Sequence, residues 1–278
     1  MNRSTNDAPQ RATFVASLSD VGRVRSVNED GFDSLVRADG ARLLVVADGM
    51  GGHRGGAVAS REAVAAIGAC FLSSSDSSIS ADASASAPDS DAGPLLSRAI
   101  TEANARIYSL ARQDPELAGM GTTVVALLLD PTGHATVAHV GDSRCYRLRH
   151  RRLEPLTQDH SVVAEMLQRG VLTPEEAAYH PRRNEILRSV GVLREVDVEV
   201  APVDVAVGDW FLLCSDGLCG VVSDAEIEEV LVASASPEDA VGALVDLAND
   251  CGGPDNVTVQ VLSVEAAPAG ARPNAAHA

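Results

Sequence analysis

At 278 residues, with 45% hydrophobic and 22% charged positions, the chain has the composition of a globular protein with room for one large domain. A formal net charge of −17, from 22 Lys and Arg against 39 Asp and Glu, disfavours nucleic-acid binding and anionic membrane surfaces. Five cysteines without a CxxC pair (Cys70, Cys145, Cys214, Cys219, Cys251) indicate neither a disulfide framework nor a zinc knuckle and fit a reduced, cytoplasmic protein.

In chain order, residues 1–10 are polar and read as a disordered tail. The N-terminus lacks an apolar signal-like run, and the longest apolar runs, such as residues 124–129, are strand-length, so a soluble chain is expected. Short strands are predicted over 13–18, 33–37 and 42–47, the last two joined by the turn Ala38-Asp39-Gly40. Apolar residues at helical spacing predict helices over 55–72 and 95–112. The Ser- and Ala-rich stretch 73–94 between them cannot bury enough apolar surface to offset chain entropy and reads as a flexible insertion. Strands follow over 122–129, 135–140, 145–148 and 210–214, then an alternating strand over 256–264. Thr173-Pro174-Glu175-Glu176 and Ser223 to Glu226 are capping boxes, and Ser236-Pro237 opens a helix to about Asn249. Residues 266–278 read as a second disordered tail, leaving one domain over 11–265. Strands and helices come in segregated runs rather than in βαβ alternation, which suggests antiparallel sheets covered by helix pairs. The basic stretch 144–152 reads as a solvated hairpin, or else as a docking patch for acidic phosphopeptides.

Four aspartates share one setting. Asp48 ends LLVVADGMGG, Asp142 ends TVAHVGDSR, Asp216 ends FLLCSDG, and Asp255 precedes NVTVQV. Any one of them alone reads as a turn former. Four at the mouths of apolar strands, if those strands are neighbours, put convergent charge at one sheet edge, where an ionised carboxylate is costly without a cation. An all-oxygen site suits Mg²⁺ or Mn²⁺, and the absence of HExxH or HxH spacing disfavours zinc. Gly49, Gly51 and Gly52 allow close backbone approach, so a main-chain carbonyl can join such a site. Arg25, in RSVNED, is a candidate phosphate clamp or the partner of a surface ion pair with Glu29.

RSVNED, VADGMGGHRGG, GMGTT, VGDSR, TQDHS, RNEILRSVG, LCSDG and GGPDNVTV occur in the order seen in bacterial metal-dependent protein phosphatases, and from about Thr13 to Val264 the chain resembles that PPM, or type 2C, family. The resemblance implies an α+β fold: a four-layer α-β-β-α sandwich of two antiparallel sheets flanked by antiparallel helix pairs, with a flap over about 162–190. It implies hydrolysis of phosphoserine and phosphothreonine by direct attack of water at a binuclear Mn²⁺ or Mg²⁺ centre. Asp48 would bridge two cations, Gly49 would lend its carbonyl, and Asp216 and Asp255 would complete the first site. Glu29 and Asp30 would act through water, Asp142 with Asp216 would hold a third ion, and Asn184 stands where the flap can add a ligand. His53 matches the histidine of the GMGGH pattern and is a candidate proton donor to the leaving group. Implied partners are phosphoserine and phosphothreonine proteins, including a eukaryotic-type Ser/Thr kinase, with a monomer as the default. The alternatives are a catalytically silent phosphatase-fold binding module and a two-metal nuclease or phosphodiesterase.

Overall fold

The structure, a computed structural model, describes residues 11–51, 54–74 and 91–266. The strands are β1 (Arg11–Asp20), β2 (Gly31–Val36), β3 (Arg42–Ala47), β4 (Gly49–Met50), β5 (Gly121–Thr122), β6 (Val124–Leu129), β7 (Ala135–Val140), β8 (Arg144–Arg149), β9 (Arg152–Pro155), β10 (Glu199–Val203), β11 (Trp210–Cys214) and β12 (Val257–Ala266). The helices are α1 (Gly55–Ser73), α2 (Ala92–Gln113), α3 (Val162–Gln168), α4 (Pro174–Ala178), α5 (Asp216–Cys219), α6 (Asp224–Ala233) and α7 (Pro237–Asp250).

One antiparallel sheet has the order β1-β12-β11-β8-β9 and the other β10-β7-β6-β3-β2, with β4 and β5 as a separate two-stranded ribbon. The two-residue period of a strand explains how the layers stack. In β3, Leu43, Val45 and Ala47 face Ile67, Phe71, Ile100 and Ile107 of α1 and α2, whereas Leu44 and Val46 face Phe211, Leu213 and Leu262 of the opposite sheet. On the far side, Leu212, Val259 and Val261 pack against Ile227, Leu231, Leu244 and Val245 of α6 and α7. Three apolar layers thus join four layers of secondary structure, as the α-β-β-α expectation requires. In the first helix pair Glu62 meets Arg106 and Cys70 meets Arg98, so the partners descend in one helix as they ascend in the other, and the pair is antiparallel.

Both predicted capping boxes form, at Thr173 with Glu176 and at Ser223 with Glu226. Several boundaries differ from expectation. Helix α1 runs through Ser73 and α2 starts at Ala92, so helix takes both ends of the predicted insertion, and its remainder over 75–90 lies outside the described residues. Strand β12 continues through Ala266, the first residue of the predicted tail, where it still pairs with Arg11. The predicted tails over 1–10 and 267–278 are likewise outside the described residues. Edge strands β9 and β10 escape a pattern search because RLEP is polar and EVAPV carries Pro202, which only an edge tolerates. Helix α1 is apolar and long enough to cross a membrane by length and composition, yet its apolar face is core, with Ala59, Ala63, Ile67 and Phe71 buried against the sheet.

The basic hairpin β8–β9 is not a solvated one throughout. Arg147 is tied to Glu154 and to Asp204, and Arg149 to Asp204 and to Asp209, the latter through two bonds of 2.7 Å. Asp209 is almost fully buried and also accepts from the Ala206 N–H at 2.7 Å. Removing it leaves Arg149 with Asp204 alone and takes the acceptor from the Ala206 N–H. Asp209→Ala is therefore expected to cost about 2–3 kcal/mol in urea unfolding. Arg151→Ala, at the exposed tip of the same hairpin, is expected to stay within about 0.5 kcal/mol.

Candidate metal centre and cleft

Strand direction brings the acids together. Strands β3 and β7 both run antiparallel to β6, so they deliver Asp48 and Asp142 at the same end of one sheet. In the other sheet β11 ends just before Asp216, while its antiparallel neighbour β12 begins just after Asp255. Pairing of Gly31 with Ala47 sets Glu29 and Asp30 beside the end of β3. All six predicted carboxylates therefore gather at one rim, drawn from both sheets.

Their electrostatics confirm how crowded that rim is. Burial first, then the charges of Asp216 and Asp30, push the Asp48 carboxyl well above the usual carboxylate range. Asp216 is raised as well, chiefly by burial. Asp30 is pushed up to about 7 by burial, against the opposing help of hydroxyl donors from Thr258 and Ser215. Asp142 is also pushed up to about 7, by burial and then by the charges of Asp216 and Asp159.

Four carboxylate oxygens here, Glu29 Oε1, Asp30 Oδ1, Asp142 Oδ1 and Asp216 Oδ1, are buried with no hydrogen-bond donor. Stranded buried acceptors are costly, and convergent ones call for cations. The backbone makes room beside them: a Cβ at Gly56 would lie 2.7 Å from both Glu29 Oε1 and the Gly49 carbonyl oxygen. Carboxylates and a carbonyl form an all-oxygen donor set that suits Mg²⁺ or Mn²⁺.

The alternative reading of Arg25, an ion pair with Glu29, gives way to an ion pair with Asp255, at 2.7 Å. That bond raises the guanidinium pKa and turns Asp255 toward Arg25. Among the described residues, the His/Cys/Asp/Glu triplet whose ligand atoms all lie within 4.8 Å of one another is His139, His160 and Glu199, and no three rim acids meet that spacing. His53 and Gly52 lie outside the described residues.

Residues that sequence reasoning passed over hold the acids in place. Thr123 Oγ1 accepts the Asp48 N–H at 2.9 Å, and the Thr123 N–H donates to the Asp48 carbonyl at 2.8 Å. Thr258 and Ser215 donate to Asp30 Oδ2 at 2.7 and 2.9 Å. Asn256 accepts the Glu29 N–H at 2.8 Å and donates to the carbonyls of Val21 and Val27, each at 3.0 Å, stitching the RSVNED loop to the start of β12. Ser215 and Thr258 do lie near acids in CSDG and DNVT, but Thr123 stands in GTT with no acid beside it, so its link to Asp48 exists only in space. Arg144 is held by Asp159 through bonds of 2.8 and 2.7 Å, although Asp159 lay in a quoted motif with no role assigned.

A cleft of about 310 Å³ opens from the rim and is lined by Asp142, Asp216, Arg144, Asp159, Arg183 and Asn184. Its outer wall is the flap, where α3 and α4 form within the segment expected to be variable. Asn184 stands on the cleft.

A sequence profile of protein phosphatase 2C matches residues 22–249. The chain is 39% identical to the serine/threonine phosphatase stp of Listeria welshimeri over 244 residues, which cover 88% of this chain and 93% of that protein. Among solved structures it is similar to the S. agalactiae serine/threonine phosphatase, with a TM-score of 0.81 and 35% identity over 91% of this chain and 100% of that one. The catalytic domain of the phosphatase PstP, solved in complex with two manganese ions, aligns with a TM-score of 0.78 and 36% identity over 92% of this chain and 100% of that one. With its sandwich, its oxygen-lined rim and these likenesses, the chain belongs to the protein phosphatase 2C family and is a metal-dependent serine/threonine protein phosphatase.

Proposed function

We propose that the rim acids hold a binuclear Mn²⁺ or Mg²⁺ centre at which phosphoserine and phosphothreonine esters are hydrolysed by water without a covalent phosphoenzyme. The observation that carries this reading is the set of four donorless buried carboxylate oxygens. In this assignment Asp48, whose carboxyl senses the charges of Asp216, Asp30 and Asp142, would be shared by the two cations. Asp216, Asp255 and the Gly49 carbonyl flank it, and Glu29 and Asp30 stand behind. Asp142, across from Asp216 on the cleft, is assigned a third position with Asn184 nearby. When bound, the cations supply a water nucleophile at neutral pH and offset charge on the phosphate. The rest falls to the chain. Arg25 keeps one nitrogen on Asp255, and its half-exposed fork leaves the remaining donors free to orient phosphate oxygens. Proton delivery to the departing serine or threonine oxygen is assigned to His53 from its motif alone.

The acidic balance of the chain opposes the nuclease alternative, and the intact acids oppose the silent module. Substrate proteins are made by a protein serine/threonine kinase, the class of enzyme that forms the ester hydrolysed here, and such a kinase is itself assigned as a partner. The cysteines are all free thiols, which supports placing the activity in the reducing cytoplasm.

Asp48→Asn is expected to lower kcat on a phosphothreonine peptide at least about 100-fold at saturating Mn²⁺. Near wild-type turnover by that variant would remove Asp48 from the centre.

Stability in chelator tests the same charges. Asp30 and Asp142 titrate near 7 in the fold and near 3.8 when free, so the folded protein binds more protons than the unfolded chain between those values. Their contribution to stability therefore declines as pH rises from about 4 to about 7. The rise in Tm on adding Mn²⁺ is expected to be larger at pH 7.5 than at pH 5.5, and to shrink in Asp48→Asn. A Mn²⁺ shift independent of both pH and residue 48 would contradict the assignment.

A further inference from the structure

His160, in the TQDHS motif, has no part in the chemistry described above, yet it is nearly buried and joined to three separate segments. Its ring stacks on His139 of β7 with centroids 4.5 Å apart. The Gly141 N–H donates to its Nδ1 at 3.2 Å, while its own N–H donates to the Gly141 carbonyl at 2.9 Å. Its Nε2 lies 3.2 Å from Glu199 Oε2 on β10 and 3.4 Å from Arg188 Nη1.

The backbone donor at Nδ1 and the shorter of the two Nε2 contacts, that with Glu199 rather than Arg188, assign the ring's proton. A backbone N–H is an obligatory donor, so Nδ1 presents its lone pair to Gly141 and Nε2 carries the hydrogen, which points to Glu199. A cation at His139, His160 and Glu199 would need the lone pair of Nε2, which this tautomer does not offer, and two nearly parallel stacked rings aim poorly at a common ion. The trio is better explained as a brace than as a metal site.

The brace reaches the acid rim. Gly141 has a φ of +111°, and a Cβ there would lie 2.7 Å from Thr123 Cβ and Cγ2, so the turn is pressed between His160 on one side and Thr123 on the other. Thr123 holds Asp48 by two hydrogen bonds, and Asp142 is the residue after Gly141. In the other direction, the Leu187 N–H donates to the His160 carbonyl at 2.7 Å, Ser161 bridges to Ile186, and the Val162 N–H donates to the Glu185 carbonyl at 2.9 Å. These bonds zip together the two feet of the flap.

We propose that His160 is a positioning residue that couples the flap to the acid rim: its imidazole braces the Gly141–Asp142 turn against Thr123 while its main chain pins the flap's feet. This role rests on the assignment of Asp48 and Asp142 to the metal centre. Through it, the position of the flap over a bound phosphopeptide and the position of the acids are set together.

The test uses the full chain and three variants, His160→Leu, His160→Asn and His160→Gln, with Mn²⁺ binding read by calorimetry and KM read on a phosphothreonine peptide. In asparagine, Oδ1 occupies the place of Nδ1 and can accept from Gly141, whereas glutamine reaches only toward Glu199. His160→Leu is expected to weaken the weakest Mn²⁺ step about 10-fold and to raise the peptide KM, as loss of residues supporting metal ligands does. His160→Asn is expected to restore both to within about 3-fold of wild type, and His160→Gln is not. Wild-type isotherms and KM in His160→Leu, or equal impairment in the asparagine and glutamine variants, would overturn the proposal. Should the leucine variant fail to fold, the asparagine and glutamine pair still decides it. If the wild-type chain itself binds no Mn²⁺, the metal-centre assignment fails, a result distinct from failure of the His160 role.

Discussion

Like charges crowd the rim where the two sheets meet: the carboxyls that follow β3, β7 and β11 lie within reach of one another's fields, with the partly exposed Asp255 beside them before β12. Such an arrangement opposes folding on its own, because burial and mutual repulsion both disfavour ionisation. It is tolerable if protons or cations share the space. The raised carboxyl pKa values describe the first solution, and the oxygen-only donor set describes the second. The site can therefore be understood as stability given up locally in exchange for affinity for hard divalent ions.

The rest of the sandwich supplies the rigidity that makes such a rim possible. Three apolar layers, built almost wholly from aliphatic residues, hold the strand ends in register from below. At the rim itself, polar groups take over. Thr123, Ser215, Thr258 and Asn256 satisfy backbone and carboxylate atoms that would otherwise be free to turn away. Each is buried and each holds an acid or the main chain of one, so the scaffold fixes not only where the carboxylates sit but which of their oxygens remain open.

Charge elsewhere follows a different logic. The arginines of β8 are spent on Asp204, Asp209 and Asp159, which fasten a loop and the entrance of the flap to the sheet. Arg183, by contrast, lines the cleft on the flap side, so the cleft carries both signs of charge. An acidic chain that acts on anionic phosphoproteins has to attract them locally, and the cations that border the cleft are where that attraction resides.

Sequence alone determined the central strands, both capping boxes and the candidate acids, because each of these rests on a local pattern: two-residue alternation, a hydroxyl three residues before a glutamate, or an aspartate closing an apolar run. The ordered motifs also carried the family. Only the tertiary structure decided which partner Arg25 takes, since Asp255 is 230 positions away and Glu29 is four. The same holds for the ion pairs of Arg147 and Arg149, for edge strands whose composition is polar or interrupted by Pro202, and for His160, whose meaning lies in contacts with residues 139, 141, 187 and 199. Local sequence encodes backbone preference and burial pattern, but register across sheets selects which distant side chains meet, and the chemistry of a site assembled from many strand ends depends on that selection.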